Sequence, residues 1–112
     1  VGSEMCIRDS HLIGERELGL MKKTAFLINT ARGAVIDEEV LSRFLEKRQI
    51  AGAALDVFER EPHITELLYS LDNVILVPHI GTATYDGRIA MAQEALDNIR
   101  NYLNGKPTNV VN

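Results

Sequence analysis

The sequence predicts an α/β fold, one half of a doubly wound parallel sheet followed by a long C-terminal helix. Three observations predict it. Short apolar runs of strand length, at residues 25–29, 51–57 and 74–77, alternate with stretches of helical periodicity. That alternation is the mark of βαβ units, because parallel neighbours need a crossover between them. The first run is apolar at every position but its last, as expected of a strand in a sheet covered by helices on both faces. Three parallel strands alone would leave a long apolar edge, so half of a larger sheet fits better than a complete domain.

The opening ten residues, VGSEMCIRDS, show neither hydrophobic periodicity nor a signal-peptide pattern. They resemble the translated tail of a transposase-type sequencing adaptor, and residues 1–10 are expected to be non-native and outside the fold. Cys6 then carries no meaning, and an upstream coding sequence is expected. From His11 the pattern is regular. Residues 14–21 read as a short helix, with Glu15 and Glu17 early and Lys22-Lys23 behind its end, the charge order that suits the helix dipole. The strand at 25–29 follows, and Thr30-Ala31-Arg32-Gly33 breaks it. Asp37 is placed to cap a helix whose first turn holds Glu38 and Glu39, read simply as a helix-start feature. Leu41, Phe44 and Leu45 give that helix one apolar face.

Residues 51–57 form the second strand, ending near Asp56. Residues 59–73 read as a loop with one or two helical turns over 64–71. The third strand, 74–77, is stopped by Pro78. A long helix follows from about Thr84 to Asn104, with Ile89, Ala92, Leu96, Ile99 and Leu103 as a packing seam and Gly105 and Pro107 ending it. Residues 108–112 read as an extended tail.

Composition narrows the function. With 46% apolar residues and a net charge of −4, the chain has the makings of a core and lacks the basic stripe that phosphate backbones require. Nucleic acid is therefore not expected as a partner. No apolar run approaches the eighteen or so residues that span a bilayer, so neither is a membrane. A single cysteine excludes an internal disulfide and a cysteine-based zinc site; no metal is expected, and a cytoplasmic location is the default.

In open parallel sheets ligands bind at the carboxyl ends of the strands. Each predicted strand here ends in polar residues: Thr30-Ala31-Arg32-Gly33, then Asp56 with Glu61 close behind, then His79-Ile80-Gly81. An arginine, two carboxylates and a histidine would thus gather along one edge. A guanidinium matches a carboxylate fork to fork. A histidine gives and takes a proton near neutrality, and a carboxylate beside it favours and orients the protonated ring. Such a set can bind a 2-keto acid, polarise its carbonyl and protonate the oxygen as hydride arrives. His11 and His63 have no evident partners and are read as structural.

The stretches LINTARG (27–33), AGAALDVFEREP (51–62) and NVILVPHIGTAT (73–84) resemble three consecutive signatures of the D-isomer-specific 2-hydroxyacid dehydrogenases, with 29 residues from Arg32 to Glu61 and 18 from Glu61 to His79. The resemblance runs from His11 to Asn112. It implies a Rossmann-like domain whose second half is residues 11–83, with residues 84–112 as a crossover helix and return segment to a substrate domain. By resemblance, Arg32, Glu61 and His79 are the catalytic set, with Arg32 on the substrate, His79 as acid/base and Glu61 as its partner. Thr30, Ala31, Arg32, Asp56, His79, Ile80 and Gly81 would bind the cofactor, Asp56 through the nicotinamide carboxamide.

The resemblance also implies NAD or NADP as cofactor, a small 2-keto or 2-hydroxy acid as substrate, and a homodimer. No Gly-x-Gly-x-x-Gly occurs and the residue that reads the ribose 2′ position is not present, so the choice between the nucleotides stays open. The isolated 112 residues are expected to be inactive. The stretch from Pro78 to Thr84, with Arg88, Met91-Ala92 and Asn98, is most similar to the glyoxylate or hydroxypyruvate reductase branch. A phosphoglycerate dehydrogenase-like enzyme is the alternative, and a nucleotide-sensing corepressor-type binding protein, which would retain the same residues, is another.

Overall fold

The computed structural model describes residues 10–110. The expected adaptor-derived segment therefore lies, except for Ser10, outside the described residues, and so does Cys6. The chain forms two compact units, one reaching to His79 and the other beginning at Ile80.

The first unit contains α1 (Glu15–Gly19), β1 (Phe26–Asn29), a 3-10 turn (Gly33–Val35), α2 (Glu38–Glu46), β2 (Gly52–Leu55), α3 (Glu66–Tyr69) and β3 (Val74–Leu76). The strands form a parallel sheet in the order β1-β2-β3, with Phe26 opposite Gly52, Asn29 opposite Leu55 and Leu55 opposite Leu76. Every strand therefore points its carboxyl end the same way, and the loops leaving them share one edge.

Helix α2 begins where the sequence places it. Asp37 accepts a hydrogen bond from the Val40 amide at 3.0 Å, satisfying one of the donors that a helix start leaves open. Val40, Leu41 and Leu45 are buried, and with Leu18, Ile36, Ile50, Ala53, Leu55, Phe58 and Leu68 they make the core. Burying side chains of this size is worth roughly 1.5–3 kcal/mol each, which anchors the helix against one face of the sheet.

Among the described residues, the opposite face is the more exposed one. Along β1, Leu27 packs against the core and Asn29 is buried, whereas Phe26 and Ile28 are 71% and 72% exposed; Ile75 of β3 is 65% exposed. The expectation of a strand covered on both faces thus holds for one face only. Strand side chains alternate, and the core residues of α1, α2 and α3 all meet the Leu27–Ala53–Leu55 side.

The second unit is built on α4 (Tyr85–Leu103). Thr84 caps its start by accepting from the Gly87 amide at 3.0 Å. Its end is a paired closure: Gly105, at φ 68°, donates to Tyr102 O at 3.0 Å and Lys106 donates to Asn101 O at 2.9 Å. Beyond it the tail turns back along the helix, where Asn101 donates to Thr108 and Asn109 donates to Glu94, both at 3.0 Å. No residue of α4 is buried. Among the described residues no helix is long and apolar enough to cross a membrane.

Candidate active site

The site is built from the three strand ends of the first unit. At the end of β1, the buried Asn29 folds the following turn with its own side chain. Its Nδ2 donates to Arg32 O at 3.0 Å and its Oδ1 accepts from the Ala31 amide at 3.1 Å. This local bonding is what an Asn at a strand end offers a turn. Thr30, Ala31 and Arg32 are left exposed at the edge, and the Arg32 guanidinium donates to Ala31 O at 2.8 Å.

Gly33 brings this turn against the next one. A Cβ there would lie 1.9 Å from the Phe58 carbonyl carbon and 2.4 Å from the Glu59 nitrogen, so only glycine permits the approach. After β2, the Asp56 amide donates to Asn29 O at 3.0 Å, carrying the β1–β2 pairing one residue further with the Asp56 side chain buried. The chain then passes through buried Val57 and Phe58 into Glu59-Arg60-Glu61-Pro62, with a cis bond between Glu61 and Pro62.

The end of β3 delivers the histidine. Val77 donates to Leu55 O at 3.0 Å, and His79 donates to Val77 O at 3.0 Å, closing a tight turn around Pro78. His79 sits at φ 53°, the left-handed region that residues with a Cβ seldom occupy. Strain of this kind, about 1–3 kcal/mol, persists where the surroundings enforce it, commonly at functional sites.

His79 Nδ1 meets Glu61 Oε2 at 3.1 Å, while Glu61 Oε1 accepts from the Phe58 amide at 3.0 Å. The bond to His79, the Phe58 N–H and the positive charges of His79 and Arg32 hold the Glu61 carboxyl below the usual carboxylate range, against a smaller opposing effect of burial. Arg32 is therefore electrostatically part of the same cluster. Phe58, Pro62, Ile64 and Pro78 form an apolar wall beside the pair.

The sequence-predicted residues Arg32, Glu61 and His79 thus belong to one unit, with Thr30, Ala31 and Asp56 on the same sheet edge. Ile80 and Gly81 fall in the second unit. Two residues escaped the sequence reading. Asn29 carried a signal, an amide side chain between a strand and a turn. Glu38 carried none: its carboxylate is buried and bonded to the Glu61 loop. His11 requires a correction, because it is not without partners: its Nε2 lies 2.8 Å from Glu59 Oε1 and its Nδ1 3.7 Å from Asp37 Oδ2. Among the described residues no group of His, Cys, Asp and Glu is arranged to hold a metal.

A parallel sheet with helices between its strands and polar residues gathered at their carboxyl ends is the architecture of Rossmann-like dehydrogenases. The chain belongs to the D-isomer specific 2-hydroxyacid dehydrogenase family: residues 8–81 match its NAD binding domain. Glyoxylate reductase from Thermococcus gammatolerans is 54% identical over 103 residues, covering 91% of this chain and 31% of the relative. The crystal structure of a glyoxylate reductase from Paecilomyes thermophila superposes with a TM-score of 0.84 at 41% identity, over 90% of this chain and 31% of that one. An NADPH-dependent glyoxylate/hydroxypyruvate reductase from Sinorhizobium meliloti, in complex with NADP and malonate, gives 0.79 at 36% identity, over 86% and 30%. The chain therefore spans about a third of the length of these relatives.

Proposed function

We propose that the complete enzyme transfers hydride between NADH or NADPH and a small 2-keto acid, with glyoxylate or hydroxypyruvate as the substrate reduced. The observation that carries this reading is the His79–Glu61 pair at 3.1 Å with the charge of Arg32 acting on it. The relatives named glyoxylate reductase support the substrate class.

The residues divide the work by chemistry. Arg32 holds the substrate carboxylate and polarises the adjacent carbonyl, since its planar fork of donors matches a carboxylate. Glu61 accepts the Nδ1 hydrogen of the protonated ring, whose other hydrogen, on Nε2, is delivered to the carbonyl oxygen. In the reverse direction the neutral ring accepts the hydroxyl proton. A bound nicotinamide supplies or accepts the hydride.

The donor set fits such a group: Asp56 brings a buried carboxylate to the same edge, suited to accept from a carboxamide, and Thr30 and Ala31 offer exposed backbone. Ile80 and Gly81 are assigned to the cofactor as well. A homodimer and a cytoplasmic location complete the proposal, the first supported by the family resemblance and the second by the cysteine-poor composition.

In the complete enzyme, His79→Ala should lower the rate of keto-acid reduction by about a hundredfold or more, the loss typical of a general acid. Arg32→Ala should weaken keto-acid binding while nucleotide affinity, read by NAD(P)H fluorescence titration, stays nearly intact. Collapse of nucleotide affinity in Arg32→Ala, or full turnover in His79→Ala, would overturn the assignment.

A further inference from the structure

We propose that Glu38 is a positioning residue, whose buried carboxylate clamps both ends of the loop that presents Glu61 to His79. The inference rests on the acid–base reading above and extends it to a residue outside the Arg–Glu–His set.

Glu38 opens α2 and is 6% exposed, whereas Glu39 beside it is exposed. A carboxylate that served only the helix dipole could stay in solvent as Glu39 does. Withdrawing one from water is unfavourable unless its oxygens are bonded. The oxygens of Glu38 accept from backbone amides of the loop that follows β2: Oε2 from Glu59 at 2.9 Å and Oε1 from Thr65 at 2.7 Å. Residues 59 and 65 bracket Glu61. Between them lies the turn closed by His63 N to Arg60 O at 2.8 Å.

One side chain therefore fixes both ends of the segment, and it stands on a helix held in the core by Leu41 and Leu45, 1% and 0% exposed. The rigidity of α2 is passed to a loop that has no regular structure of its own except this turn. Catalytic groups need placement to a fraction of an ångström, and a misplacement of about 1 Å can cost about a hundredfold in rate.

The test is a mutant cycle in the complete enzyme, reading kcat for keto-acid reduction and the Kd of NADH or NADPH. Glu38→Gln keeps the volume but turns an NH2 toward one of the two amides, releasing one end of the loop. It should lower kcat about tenfold or more, with nucleotide Kd little changed. In a Glu61→Gln background the same substitution should cost nothing further, because Glu38 acts only through Glu61. Thr65→Pro is the second arm: it deletes the other partner's N–H at a residue whose φ of −55° suits proline, leaves α2 untouched, and carries the test should Glu38→Gln not fold.

A fall in kcat from Glu38→Gln or Thr65→Pro that adds fully to that of Glu61→Gln would show a merely structural role and overturn the clamp. Unchanged kcat in both loop variants would overturn it too. Unchanged kcat in Glu61→Gln itself would bring down the acid–base reading first, and the clamp with it.

Discussion

Helices α2 and α4 have similar sequence patterns and opposite surroundings. Each has an oxygen-bearing cap residue, an acidic residue in its first turn and apolar side chains three or four apart. Yet α2 buries Val40, Leu41 and Leu45, while α4, about twice as long, buries nothing. Helix α4 holds its form locally, through Thr84 at its start, the Gly105 closure at its end, and the Gln93–Asp97 and Asp97–Arg100 side-chain pairs between. Surface pairs of this kind contribute about 0.2–0.5 kcal/mol each. Periodicity, then, declares which face of a helix is apolar but not what, within a given chain, that face meets.

The sharpest way to break the packed region is at its tightest approach. Gly33→Ala would drive a methyl into the Phe58 backbone, 1.9 Å away, where no side chain can swing aside. The turn and the loop must separate, which is expected to cost about 4 kcal/mol or more. Urea denaturation of the 112-residue chain would register it as loss of the folded state. A variant as stable as the parent would mean that the turn and the Glu61 loop do not touch.

A milder comparison sets one leucine against another. Leu45 is 0% exposed and Leu96 is 58% exposed. In the same chain, Leu45→Ala should cost about 3 kcal/mol, the usual loss when a filled core site becomes a cavity. Leu96→Ala should stay within about 0.5 kcal/mol, as surface substitutions do. Equal costs in the two variants would show that the seam of α4 is packed in solution.

The same contrast explains what was legible in the sequence. Residues 25–29, 51–57 and 74–77 contain the strands found, and Asp37, Thr84 and Gly105 mark helix ends as read, because caps and periodicity are local chemistry. The edge bearing Arg32, Glu61 and His79 followed from the parallel order of the strands, which puts all their carboxyl ends together. What escaped was contact between distant positions. Glu38 grips Glu59 and Thr65 across 21 and 27 residues, and His11 reaches Glu59 across 48. A Glu in the first turn of a helix has a sufficient local reason to be there, so nothing in the string signals a second use. The exposure of Phe26 and Ile28 was equally unreadable, since a strand is apolar for the face it needs covered, whether or not this chain supplies the cover.

The smallest expected effect is electrostatic and again separates the two regions. His11 is bonded to Glu59, and this bond, together with the negative charges of Glu59 and Asp37, raises its pKa above the ordinary value against a smaller opposing effect of burial. A raised histidine stabilises the fold while it is charged in the folded state. That contribution is fully present below the unfolded value of about 6.5 and is lost as pH rises through the higher folded value. His11→Gln retains a neutral donor and removes the titration. Its Tm should therefore lie below the parent's at pH values below about 6.5 and converge with it in alkali. The gap should correspond to less than about 1 kcal/mol, since the pair is partly exposed and screened by solvent. Salt should narrow it further. The helicity of α4, whose caps lie within its own unit, should be unchanged by the substitution at either pH. A Tm difference that grew toward alkaline pH would have the opposite sign to that of a raised histidine and would show that the ring is held as the neutral form.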